Sequence, residues 1–122
     1  QESCVCVGNL EAVRTYCDVR DMVRAYWLLA LKGAVGEAYN IAGDEVFSLR
    51  EVLDRLLALS TWGKKITVMV EESRLRPHDV WTQTANDSKF RKLTGWRPQI
   101  PIARTLADTL QYWRERCGPL KP

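Results

Sequence analysis

The chain has 122 residues, a net charge of +3 and 46% apolar residues, enough for one domain (1–122) with a core of its own. The small positive excess excludes the dense basic surface of a nucleic-acid binder and suits a phosphate-bearing small ligand. No run of about 18 apolar residues is present, so no membrane span is expected; with no secretory leader at the N-terminus, the cytoplasm is the expected location.

The elements alternate along the chain. Val5–Val7 reads as a short strand and Tyr16–Val19 as an extended piece. Asp21 is placed to cap a helix running to Lys32, which Gly33 stops. Met22, Val23, Ala25, Tyr26, Trp27, Leu28, Leu29, Ala30 and Leu31 leave this helix (21–32) almost no polar face. A helix of that kind is covered on more than one side. Self-association through it, a homodimer for instance, is therefore expected of the isolated chain. Glu37–Ile41 reads as a strand. Ser48 and Glu51 form a capping box ahead of an amphipathic helix with Leu49, Val52, Leu53, Leu56 and Leu57 on one face, ending near Leu59. Trp62–Lys65 is a turn and Ile66–Val70 a β-branched strand. Residues 71–86 are mostly irregular. Asp87 is placed to cap a short helix ending at Gly95, with Phe90 and Leu93 inward. Pro101 opens a last helix whose buried stripe is Ile102, Leu106, Thr109, Leu110 and Trp113, and Gly118-Pro119 ends it. The fold class is α/β, with four helices and too few strands for a complete doubly wound sheet.

Cys4, Cys6, Cys17 and Cys117 form no C-x-x-C and no zinc-ligand spacing; they read as free thiols, and a Cys4–Cys6 disulfide would be strained. His78 is the single histidine, with no second imidazole for a metal and no G-x-S-x-G elbow for a hydrolase. Trp27, Trp96 and Trp113 are assigned to the core, whereas Trp62 and Trp81 lie in irregular segments.

Two motifs carry the chemistry. Arg76 and Asp79 stand three apart around the rigid Pro77. A guanidinium can fork onto diphosphate oxygens, and a carboxylate can accept from vicinal ribose hydroxyls. The order Arg76-Pro77-His78-Asp79-Val80, Asp87-Ser88-Lys89, Leu93-Thr94-Gly95-Trp96-Arg97-Pro98 resembles the C-terminal part of the extended short-chain dehydrogenase/reductases, the NAD-dependent epimerase/dehydratase family. Val7-Gly8-Asn9-Leu10-Glu11-Ala12-Val13-Arg14, leading into Asp18-Val19-Arg20-Asp21, is similar to the GDP-sugar branch. It is most similar to GDP-6-deoxy-4-keto-mannose reductases, then to GDP-mannose 4,6-dehydratases.

The resemblance implies a partial Rossmann-type fold that binds a GDP-sugar. Arg76 would hold the diphosphate, Asp79 a ribose hydroxyl, Arg14 the nucleotide from the opposite wall, and Asn9 and Leu10 the base. Thr15 stands where the family has an aspartate after that arginine, and Asn86 where it has a glycine. The family's glycine-rich cofactor turn is missing, and no tyrosine has a lysine four residues on. The expectation is therefore a portion of a longer protein, without catalytic residues or a cofactor of its own, whose parent uses NAD(P). That parent is read as a 4-keto-6-deoxyhexose reductase. A dehydratase or other nucleotide-sugar epimerase and a standalone binding or interaction module remain the alternatives.

Overall fold

The computed structural model describes residues 3–117. It is a mixed α/β unit of four α-helices and short strands: β1 (Ser3–Val7), β2 (Val13–Tyr16), α1 (Val19–Lys32), β3 (Glu45–Ser48), α2 (Leu49–Leu59), β4 (Ile66–Val70), β5 (Thr82–Gln83), α3 (Ser88–Thr94) and α4 (Ile102–Cys117). The strands form two small sheets. β1 pairs in parallel with β4, and β2 lies between antiparallel β3 and parallel β5. Among the described residues no helix is long and apolar enough to cross a membrane.

α1 begins earlier than its sequence suggests. Asp18, in extended backbone, caps it by accepting from the Arg20 amide at 2.8 Å. Asp21, expected to be the cap, sits inside the first turn and points away from the helix. Its Oδ2 accepts from the amides of Gln99 and Ile100, each at 2.8 Å, and its Oδ1 accepts from Arg24. Burial pushes the Asp21 carboxyl up, but Arg24 and the two amides outweigh it and leave it below its ordinary value. At Asp18 the Arg20 guanidinium holds the carboxyl far below the usual range, with Thr105 Oγ1 donating to its second oxygen.

The core is the cluster Ala25, Phe90 and Trp96, with Cys17, Leu28, Leu29, Tyr39 and Ile41 around it. Phe90 and Trp96 meet at 5.7 Å between ring centroids, and the Trp96 indole donates to the Asp21 carbonyl at 3.2 Å. Gly95 takes φ +72, the left-handed conformation that ends α3 and turns Trp96 inward.

Several expectations are corrected. Glu37–Ile41 is no strand. Tyr39 and Ile41 alternate toward the core as in a strand, but the segment's polar groups go to side chains and loops: Lys89 Nζ donates to the Ala38 carbonyl, and Asn40 donates to the Asn86 carbonyl. The strand lies further on, at Glu45–Ser48, where β2 supplies a ladder. The capping box at Ser48 and Glu51 forms as read. Asp87 stands at the N-cap of α3 as read, but its side chain makes no capping bond: Asn86 accepts from the Ser88 amide, and Asp87 accepts from Arg91. Pro101 lies just before α4, with Glu45 accepting from the Ile102 amide. Leu93, Thr109 and Trp113 are exposed, as is Trp27 at 65%; of the three helix and turn tryptophans, Trp96 alone is core. Trp62 and Trp81 are exposed. The Gly118-Pro119 stop lies outside the described residues.

Asp21→Ala removes the acceptor of two part-buried amides and should cost about 2–3 kcal/mol of stability, read as a lower urea midpoint. An unchanged midpoint would show that the amides find other partners. Asp18 and Asp21 titrate lower in the folded than in the unfolded chain. Their contribution is thus present above the unfolded carboxylate value of about 4 and lost as pH falls through the lower folded values. Stability should decline below about pH 4, and less steeply in Asp21→Ala.

Candidate nucleotide-sugar site

Three segments meet at the site. The first is the turn Gly8–Ala12 between β1 and β2. A side chain at Gly8 would meet the Arg74 carbonyl at 2.8 Å, so only a glycine lets the turn lie against the 71–81 segment. The second is β2, which carries Arg14. The third is the Leu75–Trp81 stretch, returned to β2 by the Val13 amide, which donates to the Trp81 carbonyl at 2.7 Å, and by the β2–β5 pairing Val13–Thr82 and Arg14–Gln83.

This docking brings three of the sequence candidates together. Asn9 Nδ2 donates to Asp79 Oδ2 at 2.7 Å, while Asn9 Oδ1 accepts from the Glu11 amide at 2.9 Å. Arg14 Nη2 stands 3.6 Å from Asp79 Oδ1, and Arg14 Nη1 donates to the Val13 carbonyl at 2.8 Å. Thr15, in the place of the family aspartate, does not leave Arg14 loose; the Val13 carbonyl and Asp79 set its pose.

Arg76 lines the same cavity as Asp79. That cavity holds about 550 Å³, with Asn9, Leu75, Pro77, His78 and Trp81 as its other walls. The cavity thus offers a guanidinium and a carboxylate on one wall, an amide side chain facing them, and the 66%-exposed Trp81 ring. Leu10 does not join them with its side chain. It is buried, and its carbonyl accepts from the Arg50 amide.

Arg14 also lines a neighbouring cavity of about 350 Å³ with Thr15, Cys17, Met22, Gly43, Gln83 and Thr84. The Arg14–Asp79 pair is therefore shared between two hollows. Sequence reading missed the second hollow. Its one local signal is Gly43, read only as a turn, where a side chain would collide with the Tyr16 carbonyl. Burial and the Asp21 and Asp18 carboxylates push the Cys17 thiol up, so it is not a nucleophile at neutral pH.

Lys89 is committed to Glu37 and to the Ala38 carbonyl, away from these cavities. Among the described residues no three His, Cys, Asp or Glu side chains converge as a metal centre. A dinucleotide pyrophosphate is held by a glycine-lined turn entering a helix N-terminus; the two positive-φ glycines among the described residues, Gly36 and Gly95, instead follow helices.

A family model described as GDP-mannose 4,6 dehydratase matches residues 1–109. A curated relative, the GDP-6-deoxy-D-mannose reductase of Pseudomonas aeruginosa, is 26% identical over 90% of this chain and 36% of its own length. GDP-mannose 4,6 dehydratase 2 of Arabidopsis thaliana is 30% identical over 77% of this chain and 25% of its own. The chain thus spans about a quarter to a third of these relatives. Among solved structures, RMD from Pseudomonas aeruginosa, complexed with NADPH, superposes with a TM-score of 0.82 at 24% identity, covering 95% of this chain and 37% of that one. UDP-glucose 4-epimerase from Thermotoga maritima, with UDP-glucose, gives a TM-score of 0.78 at 25% identity, covering 97% and 36%. The shared fold is that of the Rossmann-type short-chain dehydrogenase/reductases.

The Arg14–Asp79 pair is long and partly hydrated, with side-chain exposures of 26% and 21%. Its worth to folding should be no more than about 1 kcal/mol. Asp79→Asn should therefore leave the urea midpoint nearly unchanged. A loss above about 2 kcal/mol would make Asp79 a structural residue rather than a ligand-binding one.

Proposed function

The chain belongs to the GDP-mannose 4,6 dehydratase family, and on that premise we propose that it is the nucleotide-sugar-binding, C-terminal portion of a nicotinamide-dependent reductase acting on a GDP-4-keto-6-deoxyhexose. The observation that carries the proposal is the meeting of Asn9, Arg14 and Asp79 beside Arg76. Arg76 takes the diphosphate, and Asp79 accepts from the ribose hydroxyls. Arg14 approaches from β2 and offsets the repulsion between Asp79 and the phosphates. Asn9 faces the base. The chain supplies binding and orientation; the nicotinamide and the proton donor belong to the rest of the protein. The reductase relative, aligned over 90% of the chain, supports this reading.

A dehydratase is the second reading, favoured by the 30%-identical relative and by the matched family model. Both readings require the same nucleotide. The product formed by the longer protein from a GDP-hexose separates them.

GDP should perturb amide shifts of Asn9, Arg14 and the 75–81 stretch, ahead of UDP. Because one portion supplies only part of the cleft, the dissociation constant should be on the order of 1 mM, about 4 kcal/mol. Arg76→Ala removes a charge-assisted contact worth about 1.5–3 kcal/mol and should abolish the perturbation. Unchanged perturbations in that variant would refute the assignment.

The α1 face formed by Val23, Tyr26, Trp27 and Leu31 is 59–65% exposed. Each such side chain left in water forgoes about 1.5–3 kcal/mol of burial, and the proposal has this face covered by the rest of the protein, or by a second copy when the chain is alone. The isolated chain should sediment as a concentration-dependent dimer, and Trp27→Lys should shift it to monomer. An isolated chain that stays monomeric at high concentration would remove the self-association.

A further inference from the structure

One face of the β1–β4 sheet carries a cluster of sulfur atoms that nucleotide binding does not use. Cys4 and Cys6 are alternate residues of β1 and leave the strand on the same side. Their sulfurs stand 4.0 Å apart. Cys4 is exposed and Cys6 half-buried. In the parallel register Thr67 lies opposite Cys4 and Met69 opposite Cys6, so the thioether of Met69, 50% exposed, belongs to that face. Glu71, two residues beyond Met69 on the same face, accepts from Arg74 Nε at 2.6 Å.

We infer that Cys4 and Cys6, with Met69 as a third sulfur, form a site for a soft monovalent cation, copper(I). A metal–thiolate bond of about 2.3 Å sets two sulfurs about 4.6 Å apart when linear and about 4.0 Å apart at a trigonal angle of about 120°. The observed separation matches the trigonal case and leaves the third position to a thioether. Thiolate and thioether ligands select copper(I) over magnesium or calcium. Zinc(II) takes four ligands in a closed site, and this face lacks an imidazole.

Two other uses of the pair are disfavoured. Alternate Cα atoms on an extended strand lie about 6.6 Å apart, at the upper limit for a disulfide. The Glu71 carboxylate, then burial and Cys4, push the Cys6 thiol up to about 11; it is protonated at neutral pH and is a poor nucleophile. A bound cation reverses that protonation, because a coordinating thiol is deprotonated. Loading then forms three sulfur–metal bonds, two to thiolates and one to the Met69 thioether; the two S–H bonds release two protons, and no electron is transferred.

Anaerobic titration of the protein with copper(I) buffered by a colorimetric chelator tests the site. One copper(I) per chain should bind, with a sulfur-to-metal absorption band in the ultraviolet. Cys4→Ser and Cys6→Ser should each weaken binding about a hundredfold and Met69→Leu about tenfold, with unchanged circular dichroism. Cys17→Ser and Cys117→Ser should bind as the parent does. Undiminished binding in Cys4→Ser or Cys6→Ser, or binding lost in Cys117→Ser, overturns the site. Equal uptake of zinc(II) by the same pair overturns the choice of a soft monovalent ion.

Discussion

The Asp21 carboxylate ties together two pieces of chain 78 residues apart, and the core is assembled around that tie. One oxygen serves two consecutive amides of the 99–100 segment, and the other holds Arg24. The same residue's carbonyl accepts from the Trp96 indole, so α1, the turn after α3 and the entry to α4 share one anchor. Trp96 is buried on this anchor, with the guanidiniums of Arg24 and Arg91 each 5.7 Å from its ring centroid. Arg91 in turn binds Asp87 and Asp44. The apolar cluster is small; a belt of charged side chains with defined partners encloses it and fixes its geometry.

Asp18 repeats the arrangement one turn earlier. Arg20 bridges Asp18 and Asp108, and Thr105 closes the link to α4. β2 is thus fixed at its C-terminal end by charge pairs and along its length by two neighbouring strands. Arg14, the middle of that strand, is held still by the same forces that hold the fold.

Much of this was legible in the sequence, for physical reasons. The Ser48/Glu51 box, the Ile66–Val70 strand and the Gly95 stop depend on local backbone chemistry, and all three form as read. The 45–48 strand and the loop nature of 37–41 depend on which segment reaches the β2 ladder, and no local pattern encodes that. Asp21 looks like a cap because a helix follows it; its partners, the Gln99 and Ile100 amides, are brought to it only by folding. Likewise Trp113 and Thr109 satisfy a 3.6-residue period while facing solvent. Of the site, the Arg76–Asp79 spacing was visible because a rigid proline separates the two. The approach of Asn9 to Asp79 depends on the bare backbone of Gly8 and on a strand two residues long.

That short strand divides the site into unequal halves. Arg14 stands on a strand paired on both sides, whereas Asp79 and Arg76 lie on a segment whose ladder with β2 is limited to Val13–Thr82 and Arg14–Gln83. Local opening costs least where the fewest backbone bonds break. The wall that carries Arg76 and Asp79 is thus the first part of the cleft to come apart, and a ligand spanning both walls would act as a splint. Occupancy of the cleft and order of the 75–83 segment are then one equilibrium, seen from two ends.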